Sequence, residues 1–171
     1  MGPRRFNTYF LLAAALALLL GGAGCSAARK EERRKKYEQS SIRLHLSANP
    51  DPTGATTNAL VGQSAPFSVT IQKIAFLTEF NLDRADVADT VGGHVIALQF
   101  NPEGAITLEQ YTTAYRGRQI VIGAEFGPIR WVAAPVIRQR ITDGRLVFTP
   151  DATREESERI VRGLNRSEEH T

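Results

Sequence analysis

Apolar residues recur at every second position in three short runs: Ile42, Leu44 and Leu46; Phe67, Val69 and Ile71; Ile96, Leu98 and Phe100. A period of two sends successive side chains to opposite faces of a strand, so each run has one face to bury. A chain with several such runs needs a sheet and something to lay on it. On this reading His45 falls on the wet face of the first strand. The run "QIVIGA" (119–124) is apolar without a break and predicts an interior strand. "IRWVAAPVI" (129–137) and "RLVFT" (145–149) add strands, with Gly127-Pro128 and Asp143-Gly144 as turns. Alternation puts Trp131 and Ala133 on one face, where Trp131 serves either as core or as an outward contact anchor. In "FSVTIQKIAF" (67–76) the apolar parity changes between Ile71 and Ile74, which predicts a bulge near Gln72 and Lys73.

Two helices complete the pattern. Asn101 caps the first, Pro102 opens it and Glu103 lies in its first turn. Ala105, Leu108, Thr112 and Tyr115 share its inner face, with Tyr111 alongside, and Gly117 stops it. The second has a capping box, Thr153 with Glu156, and a core face of Ser157, Ile160, Val161 and Leu164. Glu155 with Arg159 and Glu158 with Arg162 read as exposed pairs. "LDRADVADT" (82–90) predicts a short third helix. Its acids Asp83, Asp86 and Asp89 read as a solvated face, because the glycine turn and closing glutamate of a calcium loop are missing. "ANPDPTGATTNALVGQSAP" (48–66) reads as a long loop. The fold class expected is α+β, a mainly antiparallel sheet with helices packed on one face.

The first 40 residues have a different character. Arg4 and Arg5 precede apolar residues 10–20, followed by Gly21, Gly22, Ala23 and Gly24, the three parts of a secretory signal. Eleven apolar residues fall short of the roughly 20 that a spanning helix needs. The only cysteine, Cys25, follows the small residues at once. This stretch resembles the lipobox of bacterial lipoproteins, in which the cysteine sulfur receives a diacylglyceryl group and the signal is cut just before it. Gly22 stands where that motif has leucine. The alternative is an ordinary signal peptide with an incidental cysteine. Residues 29–36 are all charged, of both signs, and have no apolar stripe to bury. They read as a solvated tether whose basic excess favours anionic headgroups, or simply as a spacer.

Removing Arg4 and Arg5 from the 21 basic residues leaves 19 against 18 acidic ones, a balance that argues against a nucleic-acid partner. One cysteine makes neither an internal disulfide nor a thiolate metal site. His45, His94 and His170 are scattered without metal spacing. Ser64 and Ser68 lack a nucleophile elbow, and no acid pair stands out. The sequence therefore implies no catalytic residues, no metal, no cofactor and no small-molecule substrate, and predicts a non-enzyme.

The stretch "VIALQFNPEGAITLEQYTTAYRGRQIVI…WVAAPVIRQRIT…LVFTPDATREESERIVRGL" resembles the head subdomain in the first large periplasmic region of SecD, the accessory of the bacterial Sec export machine. The family's positions are read at Asn101, Glu103, Gly104 and Ala105, then at Thr113, Gly117, Arg118 and Ile120. They continue at Ala134, Pro135, Ile137 and Ile141, and at Phe148, Thr149, Glu155, Glu156 and Leu164. The likeness covers residues 67 to 164, and its Ala-Pro hairpin is the most specific part. Gly127-Pro128 replaces the family's Asp-Gly turn, the turn at Asp143-Gly144 is shortened, and Ser157 replaces a helix alanine. SecD proper has several membrane helices and couples export to proton movement. The resemblance here implies the head and not the proton motor.

The organisation expected is a signal peptide (1–24), a lipidated charged tether (25–40), a SecD-head-like domain (41–166) and a disordered tail (167–171). The partners expected are a membrane, through lipid on Cys25, and a protein or extended polypeptide. The place is the cell envelope, facing the periplasm or exterior. Two functions fit: a polypeptide-binding module auxiliary to export, and a structural or assembly lipoprotein with a fixed envelope partner. Cys25→Ser is expected to release the protein from membranes and abolish incorporation of labelled fatty acid. Continued pelleting of the mutant, with no label in the wild type, would exclude the lipid anchor.

Overall fold

A computed structural model describes residues 39–63, 65–127 and 129–168. Strands β1 (Ser41–Leu46), β2 (Thr56–Val61), β3 (Phe67–Gln72) and β4 (Leu77–Thr78) lead through a 3-10 turn (Glu79–Asn81) into β5 (Leu82–Thr90) and β6 (Gly93–Phe100). Helix α1 (Pro102–Ala114), strands β7 (Ile120–Glu125), β8 (Ile129–Ala133) and β9 (Arg145–Phe148), and helix α2 (Arg154–Glu168) follow. The fold is α+β, with strands in two sheets ordered β3-β2-β8-β7-β1-β4 and β5-β6-β9. Every pairing is antiparallel except β2 with β8. The expected signal (1–24) and the expected tether (25–40) except its last two residues, with Cys25, lie outside the described residues, as do Ser64, Pro128 and residues 169–171.

Side-chain parity divides the six-stranded sheet into two interiors. Ile42, Leu44 and Leu46 of β1 and Ile120, Ile122 and Ala124 of β7 point into the main core. There they meet Ile96, Leu98 and Phe100 of the second sheet, Leu108 of α1, and Ile160, Val161 and Leu164 of α2. Both helices thus deliver their apolar stripes to one core. The opposite face holds a second, smaller cluster: Ala59, Val61, Val69, Ile71 and Val121, with Trp131 against it. It forms because the β2–β3 hairpin folds over β1 and β7. A bridge of Ser47 with Ile71 links β1 back to β3, and the Ala48 amide donates to the Thr70 carbonyl at 2.8 Å. Strands β1, β7, β8, β2 and β3 therefore close a small ring.

That ring accounts for three departures from the pattern in the sequence. His45 is buried, not wet, because the hairpin covers its face. The long loop expected over 48–66 contains β2, whose polar Thr56, Thr57 and Asn58 hide a strand that buries only Ala59 and Val61. Trp131 and Ala133 do not share a face: the register between β7 and β8 slips at Ile122 and Gly123, leaving Val132 as an extra residue. This bulge turns Trp131 into the ring, and Val132 and Ala133 into the main core.

Two further expectations are corrected. Residues 82–90 form strand β5 paired with β6, not a helix. A register shift between Leu82 and Arg84 buries both Leu82 and Ala85. That bulge gives the apolar residues a spacing of three, which imitates a helix. No bulge occurs at Gln72 and Lys73. β3 ends at Gln72, and Ile74 lies outside the strands and exposed. The charge pairing of α2 also differs from the expected pattern in part, since Glu158 accepts from Arg154 at 2.9 Å.

The capping expectations hold. Asn101 Oδ1 accepts from the Gly104 amide at 2.8 Å. Thr153 and Glu156 exchange both bonds of a capping box, the Thr153 amide to Glu156 Oε2 at 2.9 Å and the Glu156 amide to Thr153 Oγ1 at 3.2 Å. Gly104 is the tight point of α1, because a Cβ there would lie 2.8 Å from the Asn81 carbonyl oxygen and 2.9 Å from the Asn81 Cβ. Replacing a helical glycine by alanine ordinarily stabilises by about 1 kcal/mol. Gly104→Ala is expected to do the opposite and cost about 1–3 kcal/mol, since backbone must move. Denaturant unfolding of the two proteins checks the sign.

Candidate functional site

The ring leaves one of its ends open. Its interior is built by odd-numbered residues of five strands, and at the Ser41 end of β1 these residues line a cavity of about 200 Å³. The floor is His45, Ile71, Gly123 and Trp131, and the wall carries Arg43, Lys73 and Ile129. Gly123 makes room for the indole. A Cβ at that position would stand 3.1 Å from Trp131 Cζ3, so any larger residue would press on the ring. His45 meets Trp131 edge to face, with ring centroids 5.3 Å apart, a geometry favoured by the aromatic quadrupole. Trp131 is partly buried against the small core and lines the cavity with its ring.

The mouth is also a seam in the sheet. Strands β2 and β8 run parallel and meet at one position, Val61 opposite Trp131. Among the described residues, no other ladder position joins them. Ile129 is 70% exposed at this edge. The rim carries two cations, Arg43 and Lys73, against one acid, Glu125, which accepts from Ser41 Oγ at 3.4 Å. The site thus combines an apolar floor with a basic rim. These features suit a ligand with an apolar group.

His45 ties the floor to β3. Its Nδ1 donates to the Gln72 carbonyl at 2.8 Å, since the carbonyl can only accept, which leaves Nε2 as the acceptor of the neutral ring. Burial lowers the pKa of His45 below its ordinary 6.5, against the raising effect of the Gln72 carbonyl, and the Arg43 charge lowers it further.

The other residues singled out from the sequence do not converge. His94 Nε2 lies 2.9 Å from Ser157 Oγ, a strand-to-helix contact away from the cavity, with Ser157 fully buried. Asp86 pairs with Arg84 at 2.8 Å and Asp89 with Arg154. Ser68 is exposed on β3. Among the described residues, no group of three or more His, Cys, Asp or Glu is placed to hold a metal ion. Sequence reading missed Arg43, Lys73, Gly123 and Ile129. The signal was present as odd parity shared by several separate runs, but only the folded hairpin shows that the runs face each other.

The sign of the His45 effect follows from its burial. Because the folded state holds the ring below its unfolded pKa, the unfolded chain takes up a proton first as the pH falls. The stability due to a neutral His45 is complete above about pH 6.5 and is lost as the pH drops toward the folded pKa. His45→Gln is expected to flatten this part of the stability profile, as measured by denaturant midpoints between neutral and mildly acid pH.

No protein-family model matches the chain, and no curated protein sequence matches it. Solved structures do. One is a structure of SecDF, described as a membrane component that enhances protein export, at a TM-score of 0.58 and 22% identity; the match covers 81% of this chain and 68% of that one. Another is the crystal structure of SecDF in its super-membrane-facing form, at 0.59 and 22%, covering 81% of this chain and 20% of that one. Among the described residues, no helix is long and apolar enough to cross a membrane. The chain therefore carries the fold of a SecD-like domain.

Proposed function

We propose that this chain is a non-catalytic polypeptide-binding module of the bacterial cell envelope. It is held at a membrane by lipid on Cys25 and works beside protein export. The observation that carries this reading is the fold shared with a SecDF structure described as enhancing protein export. The cavity at the ring mouth supports it, because its apolar floor and basic rim suit a polypeptide side chain. Residues 1–24 act as the signal and 25–40 as the tether, with the folded domain following. Tethering concentrates the domain where exported chains emerge, so individually weak contacts are enough.

The domain beginning at Gln39 is expected to bind several unfolded secretory proteins with affinities on the order of micromolar, and to bind their folded forms much less. Fluorescence anisotropy with labelled unfolded chains is the measurement. Absence of such binding, together with recovery of a single stoichiometric envelope protein by crosslinking in cells, would instead assign the chain to envelope structure or assembly.

A further inference from the structure

We propose that the face formed by residues 136–138 and 145–147, at the Leu46 end of β1, lies on an anionic lipid surface through Arg138, Arg145 and the two exposed valines beside them. This goes beyond the polypeptide-binding reading and rests on it only for the presence of a membrane.

Alternation builds the face. Ile137 and Leu146 are buried in the main core. Their neighbours are exposed, Val136 with Arg138 in one stretch and Arg145 with Val147 in β9. Val136 is 47% and Val147 49% exposed, and both stretches border one open cavity of about 590 Å³ with Arg140 on its rim. Arg116 joins from just beyond α1, where its guanidinium donates to the Arg138 carbonyl at 3.1 Å. Four arginines thus stand against two acids. Arg140 is bound to Glu109, and Asp143 Oδ1 accepts from the Arg145 amide at 3.1 Å. Among the described residues, Arg138 and Arg145 form no ion pair.

Charge and polarity together select the partner. A guanidinium pairs well with phosphate oxygens, and each basic residue near an anionic membrane strengthens association about fivefold. Valines standing among arginines fit a partner that is charged at its surface and apolar just beneath, which describes the headgroup boundary of a bilayer.

The face is at the far end of β1 from the point where the chain enters. Leu46 is opposite Ile120, whose amide donates to the Pro135 carbonyl at 2.9 Å, while Ser41 is opposite Glu125. Six residues of strand separate these ends by about 20 Å. The 14 residues from 26 to 39 reach at most about 50 Å. Lipid on Cys25 and the arginine face can therefore meet one membrane, and together they lay β1 along it.

Phenylglyoxal modification of individual arginines in the full chain, read by mass spectrometry, tests this. The chain is mixed with vesicles of phosphatidylcholine, either alone or with about one-third phosphatidylglycerol. On the anionic vesicles Arg138 and Arg145 are expected to react about fivefold more slowly. Arg84, on the opposite edge strand of the same small sheet, should react equally on both. High salt should restore the reactivity of Arg138 and Arg145. Arg138→Ala should cost most of the protection of Arg145, and Val136→Ser with Val147→Thr should lessen it. Equal reactivity on the two kinds of vesicle overturns the proposal, as does protection of Arg145 that either set of substitutions leaves intact. Protection in intact cell envelopes but not on anionic vesicles would assign the face to an acidic protein, and equally overturns it. Flotation with the neutral vesicles reads the anchor separately. Without flotation the lipid on Cys25 is wrong, while slowing on the anionic vesicles still decides the arginine face.

Discussion

Strand β7 from Ile120 to Ala124 and the Leu44–Leu46 half of β1 are buried on both faces, and the rest of the domain is arranged to keep them so. Ile120, Val121 and Ile122 are consecutive and each is at most 2% exposed, which a strand allows only if something covers each side. Each such side chain contributes about 1.5–3 kcal/mol when fully buried. The second sheet and both helices cover one face. The β2–β3 hairpin covers the other. Removing either cover would strand apolar residues of alternate parity, so the two cores are coupled through the backbone of the same two strands. The break-free apolar run "QIVIGA" is the sequence mark of this constraint, and it foretold an interior strand correctly.

What was legible in the sequence follows from how local each signal is. Helix α1 is written in adjacent residues, Asn101 as cap and Pro102 at the first position, and α2 in its capping box, so both were readable. The strands whose apolar residues alternate on one face were readable for the same reason. Strand β5 was not, because a bulge gave it helical spacing. Strand β2 was not, because Ala59 and Val61 are too few to show a period. The cavity depended on both failures being put right. Its floor is assembled from β1, β3, β7 and β8, which lie as much as 90 residues apart, and no local pattern says which odd-numbered residues will meet. Cys25 is the converse case: the expectation of lipid attachment rests on its neighbours alone, and it lies outside the described residues.

A polar joint holds β8 in place beside this cavity. Arg130, next to Trp131, turns to the opposite side of the strand and donates to Glu156 at 2.7 Å and to the Asp151 carbonyl at 2.8 Å. Burial raises the pKa of Glu156, but the Thr153 amide and the Arg130 charge outweigh it and hold the carboxylate below its ordinary value. Asp151 in turn accepts from the Gln63 amide in the connection between β2 and β3. One short stretch, 151–156, thereby touches β8 and the covering hairpin together. The position of Trp131 is fixed from behind, by the start of α2, while its ring faces the cavity. A side chain held from behind in this way keeps its geometry without closing the cavity it lines.

Strand edges are the remaining question for a domain of this kind, because each presents unpaired backbone groups to any passing chain. β4 has two residues and β9 four, too short to template much pairing. β5 is the longest strand at nine residues, and its edge is blunted twice. Asn165 from α2 occupies both backbone groups of Ala85, accepting from the amide at 2.8 Å and donating to the carbonyl at 2.9 Å. The charges of Asp83, Arg84, Asp86 and Asp89 line the same strand. A side-chain amide standing in for a strand residue satisfies the edge locally and denies it to an incoming segment. The cavity at the ring mouth, by contrast, is lined by an indole, an exposed isoleucine and two cations. A fold that covers or charges its longest edge in this way leaves little of that edge for a passing chain to pair with.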